Sequence, residues 1–551
     1  MSQTMIDLSR EPGGNAGRPF PSAATVAAAG PINTPDVNIE GFEVTQAIQN
    51  MAHAIPLIAG KPTMVRAYLG TNDPSPWSLD GAIEIRAIGP GGPTGGWTMV
   101  NSLATVTVDP VENGLLRLKR ENVAKSMIFR VPDTLLAASQ YEMRLLHVYP
   151  VGEFERRRIV VQRPECNRTI ELISSPPLRI HVIGIRYQSG NPVQTYTPTA
   201  RDFALLRSWL MRAYPVSDVF WTQATMDFPG TWNFSADDAN AFISAIRTVD
   251  IANGTDDRTH YYGFVHDGGG FMRGKASGIP AAADPSVVAS GPTGTANFGW
   301  DFDGSYGDWY GGHELGHTFG RSHAPFCGAS GGVPYPYPAG QLSPNDGSWV
   351  GFDVGDMANS IGTKALPGVT FHDVMTYCDF QWLSDFTYNA IRLRLIAEDS
   401  LPAGLSPSGG GSGATPLAGV AGMSMSPSIH VVGNINLTKG SGKFMHVTPG
   451  SAPLTSLSTP LIGKTFTIQT VDTAGTPLSR FQVPFRLSAC LGPGEDETGS
   501  VDVVIPNDPN IGGLVLLDGA TEMDRYAPGV VPTKPKNVQA CLLYTSPSPR
   551  D

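Results

Sequence analysis

Between residues 37 and 165, hydrophobic side chains recur at every second position in short runs. "VNIEGFEVTQ", "TMVRAYLG", "GAIEIRAIG", "NSLATVTVD", "MIFRVPD", "YEMRLLHVY" and "RRRIVVQ" follow one another, separated by Gly, Pro, Asn and Asp. A period of two turns one face of a strand to a core and the other to water. The pattern therefore predicts an all-β, sandwich-like domain over 37–165. "RPECNRTIELISSPP" (163–177) reads as a connector.

The period changes after residue 178. "LRIHVIGIRY" reads as a buried strand, and "TARDFALLRSWLMRAYP" carries Phe203, Leu206 and Leu210 at helical spacing before Pro215. "SADDANAFISAIRTV" opens on Ser235 with an acid three residues later, a capping-box-like start. "THYYGFVHD" is a further strand, and "QWLSDFTYNAIRLRLIAE" (381–398) a further helix. Strands alternating with helices predict an α/β domain over 179–400. Residues 402–418, "PAGLSPSGGGSGATPLA", have linker composition, and alternation returns over 419–540 as a second β-sandwich-like domain.

Composition narrows this picture little. The chain has 551 residues, 63 Gly, 47 Pro, 16% charged residues and a net charge of −11, which argues against a nucleic-acid partner. It has no apolar run long enough to span a membrane, and a monomer is presumed. Residues 1–36 read as a disordered leader without a secretory signal peptide, and 541–551 ("CLLYTSPSPRD") as an artefactual tail.

Candidate chemistry gathers in "GGHELGHTFGRSH", residues 311–323, which holds three of the 11 histidines. On a helix, His313 and His317 leave the same face, about 6 Å apart along the axis, and can bind one metal ion. Glu314 sits about 100° round the helix, poorly placed as a ligand but within reach of a water. His323 lies too far along a continuing helix, so the chain must turn back at Gly320, where glycine accepts the left-handed backbone. Five fixed positions thus encode metal ligands at His313, His317 and His323, a base at Glu314 and a hinge at Gly320.

This stretch resembles the signature of the metzincin clan of zinc endopeptidases, in which a Met-turn follows downstream. "HDVMTYC" (372–378) supplies Met375 for that turn, and Tyr377 matches a tyrosine of the astacin and serralysin branches that acts in catalysis. Ala324, after the third histidine, assigns no branch. The resemblance implies a bacterial secreted multidomain protein. It implies an α/β metzincin-like catalytic domain, a twisted mixed sheet with an active-site helix, flanked by two all-β domains. It also implies Zn2+ as cofactor, a zinc-bound water activated by Glu314, and hydrolysis of protein or glycoprotein substrates. An extended substrate would pair with an edge strand, for which Gly274, Lys275 and Ala276 of "RGKASGIP" are the candidates.

Weaker signals remain open. Cys327 and Cys378 flank the motifs, and a disulfide between them would imply an oxidising, secreted or cell-surface location; two separate buried thiols are the alternative. Cys166 and Cys490 read as free. Asp301, Asp303 and Asp308 suggest calcium, although the EF-hand order is absent and an acidic helix entrance is the plainer account. His260, His266 and His372 are further histidines that could reach the site. The competing function is a surface adhesin-like binding protein with little turnover.

Overall fold

Strand alternation carries through into the structure, a computed structural model that describes residues 34–153, 159–160, 166–230, 233–296, 298–330, 334–402, 427–451, 463–489 and 494–527. The leader over 1–33, most of the 402–418 linker, Cys490, Cys541 and the 541–551 tail lie outside the described residues. The chain forms two compact units. The first comprises Met1–Pro177, Ser208–Asp218 and Pro334–Arg392; the second comprises Leu178–Arg207, Val219–Val333 and Leu393–Asp551.

In the first unit the long strands Trp77–Gly89 and Ser139–Pro150 pair antiparallel within an eight-stranded sheet. A three-stranded sheet is built from Val37–Thr45, Met64–Thr71 and Met127–Arg130. Leu79, Ile83 and Ile85 alternate inward and join Phe42, Val65, Phe129, Met143 and Leu145 in one core. Asn167–Ile173, expected to lie in a connector, is instead a strand paired with Ser139–Arg144. Its Ile170 and Leu172 enter the core at a period of two, which the flanking prolines and polar residues hide in the sequence.

Residues 334–392 were expected to lie in the 179–400 domain, yet they group with this unit. Val350–Asp353 pairs with Ile48–Gln49 on one side and Lys364–Pro367 on the other. The Trp382 indole N–H donates to the Ala47 carbonyl at 2.9 Å. A buried charge cluster also marks the unit: Arg120 Nη2 donates to Glu43 Oε1 at 2.6 Å, Tyr68 donates to the same carboxylate, and Arg66 stands at 3.8 Å.

In the second unit Leu178–Ser189 is central, parallel to Val219–Asp227 on one side and His260–His266 on the other. Ala289–Thr293 continues the parallel run, and Lys275–Ala276 closes the edge antiparallel to it. Ser235 and Asp238 form the capping box that opens helix Ala236–Ala252. Two four-stranded antiparallel sheets over 427–526 share a core of Ile429, Val431, Ile468, Val503 and Leu516.

The metzincin-like α/β class is corrected by this architecture. The molecule is mostly β, with 41% strand against 19% helix arranged as several separate sheets, so helix–strand alternation does not organise it. Parallel pairing longer than two residues is confined to the one sheet of the second unit among the described residues. The expectation generalised from that stretch; elsewhere among the described residues the strands pair antiparallel apart from two-residue parallel pairs.

Candidate metal centre

The motif lies on the helix Gly307–Thr318, of which eleven residues are buried. The helix ends in a Schellman turn: Gly320 N–H donates to His317 O at 2.8 Å and Arg321 N–H to Gly316 O at 3.0 Å. Gly320 holds φ at 76°, and a methyl group there would stand 2.6 Å from the Pro280 carbonyl oxygen. Only glycine meets both conditions. The turn reverses the chain and returns His323 toward the helix, as the spacing expects.

His313, His317 and His323 are 5%, 0% and 5% exposed, and their ligand atoms form a group that could hold a metal ion. His323 Nε2 stands 3.3 Å from His313 Nε2 and 3.2 Å from His317 Nε2. The outer nitrogens fix the tautomers. His317 Nδ1 faces the Arg321 carbonyl at 2.6 Å, and His323 Nδ1 faces the Ser330 carbonyl at 3.1 Å. A carbonyl only accepts, so each Nδ1 carries the hydrogen and each Nε2 presents a lone pair.

Two such lone pairs 3.2 Å apart make no hydrogen bond and repel unless a cation lies between them. Nitrogens bound tetrahedrally at roughly 2.0–2.1 Å stand about 3.3–3.4 Å apart, so the observed spacing fits such an ion. Burial, reinforced by His313 and His323, pushes the His317 pKa well below the usual imidazole value. Burial also lowers His323, with the Arg273 charge adding to the effect. Both shifts keep the rings neutral, the form that binds metal.

Glu314 is 1% exposed and faces the sheet edge. A methyl group on Gly274 would stand 2.7 Å from Glu314 Oε1 and 2.6 Å from the Tyr310 ring, so glycine is what lets the edge approach this carboxylate. Gly274 N–H donates to Tyr310 Oη at 3.1 Å. Lys275 and Ala276 form the terminal strand of the sheet, and Lys275 Nζ bonds Asp237 at 3.1 Å and Thr498 Oγ1 at 3.0 Å.

The remaining candidates make the following contacts. Met375 is buried, and its N–H donates to Asp373 Oδ1 at 2.9 Å in a turn of the first unit. Tyr377 belongs to the same turn and is 38% exposed. His260 bridges Glu398 Oε2 at 2.9 Å and Thr318 Oγ1 at 3.2 Å, bracing the end of the motif helix. His266 Nδ1 accepts from Gly268 N–H, and His372, in the first unit, bonds the Asp379 carbonyl.

Asp301, Asp303 and Asp308 gather within 4.8 Å of one another at the helix entrance. Asp308 Oδ1 accepts from Trp309 N–H there, and Asp301 from the Trp309 indole. Cys327 and Cys378 are both disulfide-bonded, and Cys166 is buried and outside any disulfide.

Sequence reasoning missed Tyr310 and the His260–Thr318 brace. Tyr310 lies four residues before Glu314, so helical spacing alone could have placed both on one face. The brace joins residues 58 apart and leaves no local signal.

Among the described residues no helix is long and apolar enough to cross a membrane. No family model matches the chain, and no curated protein matches it. A solved structure that does match is a Paenibacillus sp. cycloisomaltooligosaccharide glucanotransferase complexed with cycloisomaltoheptaose. It shares 12% identity over 41% of this chain and 28% of that one, with a TM-score of 0.15, and at that score it carries no argument.

Proposed function

We propose that the chain is a secreted or cell-surface zinc endopeptidase acting on protein or glycoprotein substrates. The observation that carries this reading is the convergence of three buried imidazoles, with His323 Nε2 3.3 Å from His313 Nε2 and 3.2 Å from His317 Nε2, beside a buried glutamate at the sheet edge. An all-nitrogen, three-ligand set suits zinc and leaves room for a fourth ligand. Zinc, when bound, polarises a carbonyl and makes water acidic near neutral pH.

His313, His317 and His323 would hold the ion, with the Arg321 and Ser330 carbonyls orienting two of the rings. The Glu314 carboxylate takes the proton of the water that adds to the peptide carbonyl carbon, and returns it to the amide nitrogen as the C–N bond breaks. Gly274 lets the sheet edge lie close against that carboxylate. The disulfide-bonded state of Cys327 and Cys378 supports an oxidising compartment.

The test is Glu314→Gln in the full chain. Zinc content by elemental analysis should stay at one per chain while casein hydrolysis falls about 10²- to 10⁴-fold. Undiminished hydrolysis, or wild-type protein without stoichiometric zinc, would overturn the reading. Zinc binding with no hydrolysis by the wild type would instead favour a binding protein.

A further inference from the structure

The edge strand meets the C-terminal strands of the second unit along one side. Ala489 N–H donates to the Ala276 carbonyl at 2.9 Å, taking up an edge acceptor that an incoming peptide would otherwise use. Asn240 Nδ2 holds the Lys275 carbonyl at 3.1 Å. The part of the edge against Glu314 is Gly274, whose N–H is held by Tyr310 Oη, and the residue before it is Arg273.

The two cations beside Gly274 are used differently. Lys275 and its partner Asp237 are 12% and 10% exposed, an internal pair that ties the edge to helix Ala236–Ala252. Arg273 pairs with Glu495, and these two side chains are 40% and 36% exposed. Arg273 is thus a guanidinium open to solvent, one residue from the glycine that abuts Glu314, and its charge is felt at His323. An ion pair so exposed is worth on the order of a few-fold in equilibrium constant, so a second carboxylate can displace Glu495 at little cost. A guanidinium offers paired donors that match a carboxylate and not its amide.

We propose that Arg273 is a specificity-determining residue that selects substrates bearing an acidic side chain near the scissile bond, with Glu495 as the internal carboxylate it releases. This rests on the peptidase reading for its meaning in turnover, but binding tests it separately. Two fluorescein-labelled random octapeptide libraries would be used, identical except that Asp and Glu in one become Asn and Gln in the other.

Anisotropy with the zinc-free full chain should show the acidic library binding about tenfold more tightly. Arg273→Gln should abolish that preference, Arg273→Lys should keep part of it, and Glu495→Gln should raise acidic binding a few-fold. With zinc restored, the ratio of kcat/KM for acidic over amide peptides should follow the same order. A ratio unchanged by Arg273→Gln, in peptides that are cleaved, overturns this inference alone. A preference for the acidic library without any cleavage overturns the peptidase reading and leaves the carboxylate selection standing.

Discussion

Replacing Gly320 by alanine tests whether the turn after the motif helix builds the metal centre. A residue with a side chain pays roughly 1–2 kcal/mol to hold the left-handed backbone observed there, at φ 76°. The new methyl group would also lie 2.6 Å from the Pro280 carbonyl oxygen and 2.4 Å from Arg394 Nη2. The arginine can swing aside, but the carbonyl belongs to the backbone, and overpacking of this kind costs about 1–3 kcal/mol. Together these give about 2–5 kcal/mol, which the chain can relieve by opening the turn.

Opening removes the Arg321 N–H to Gly316 O bond and shifts the Arg321 carbonyl that orients His317. Two of the three imidazoles then lose their positions. Zinc affinity, read by competition with a fluorescent chelator on the full chain, should fall by about one and a half to three and a half decades. Urea unfolding of the same protein separates loss of the site from loss of the fold. A zinc affinity within threefold of wild type would refute the argument that this turn places the ligands.

Two further outcomes follow from buried charge. His317 and His323 have pKa values below their unfolded value near 6.5, so as pH falls through that value the unfolded chain binds protons that the folded, metal-free chain refuses. Stability of the zinc-free protein should therefore hold above pH 6.5 and decline below it, with a shallower decline in His317→Gln; urea midpoints from pH 8 to 5 that run parallel in both proteins would contradict this. In the first unit, burial pushes the Glu43 pKa up, yet Arg120 and Arg66 outweigh it and hold the carboxyl below its usual range. Glu43→Gln strands these buried cations and should cost about 3–5 kcal/mol in urea unfolding, and a loss under 1 kcal/mol would show that the cluster is not held by that carboxylate.

The histidine group was legible because its determinants are local. Helical rise and a single glycine relate His313, His317 and His323 within eleven residues, and the structure adds only the carbonyls behind the rings. The capping box at Ser235 was legible for the same reason. What escaped was long-range. Val350–Asp353 joins the first unit by pairing with a two-residue strand at Ile48–Gln49, a register that no local pattern announces. The strand Asn167–Ile173 hid among prolines and polar residues, since only two of its side chains reach the core. The fold class failed by extrapolation: a true parallel sheet over 178–293 was extended to a chain whose other sheets are antiparallel apart from two-residue pairs.

The Ala489–Ala276 hydrogen bond has a practical consequence. An uncapped strand margin is a template on which identical molecules stack. Trimming the polypeptide near residue 400 to obtain a smaller crystallisation target would strip that cover and bare the margin beside Glu314. Such a fragment should self-associate, and its turbidity would report a lost lid rather than a misfolded centre.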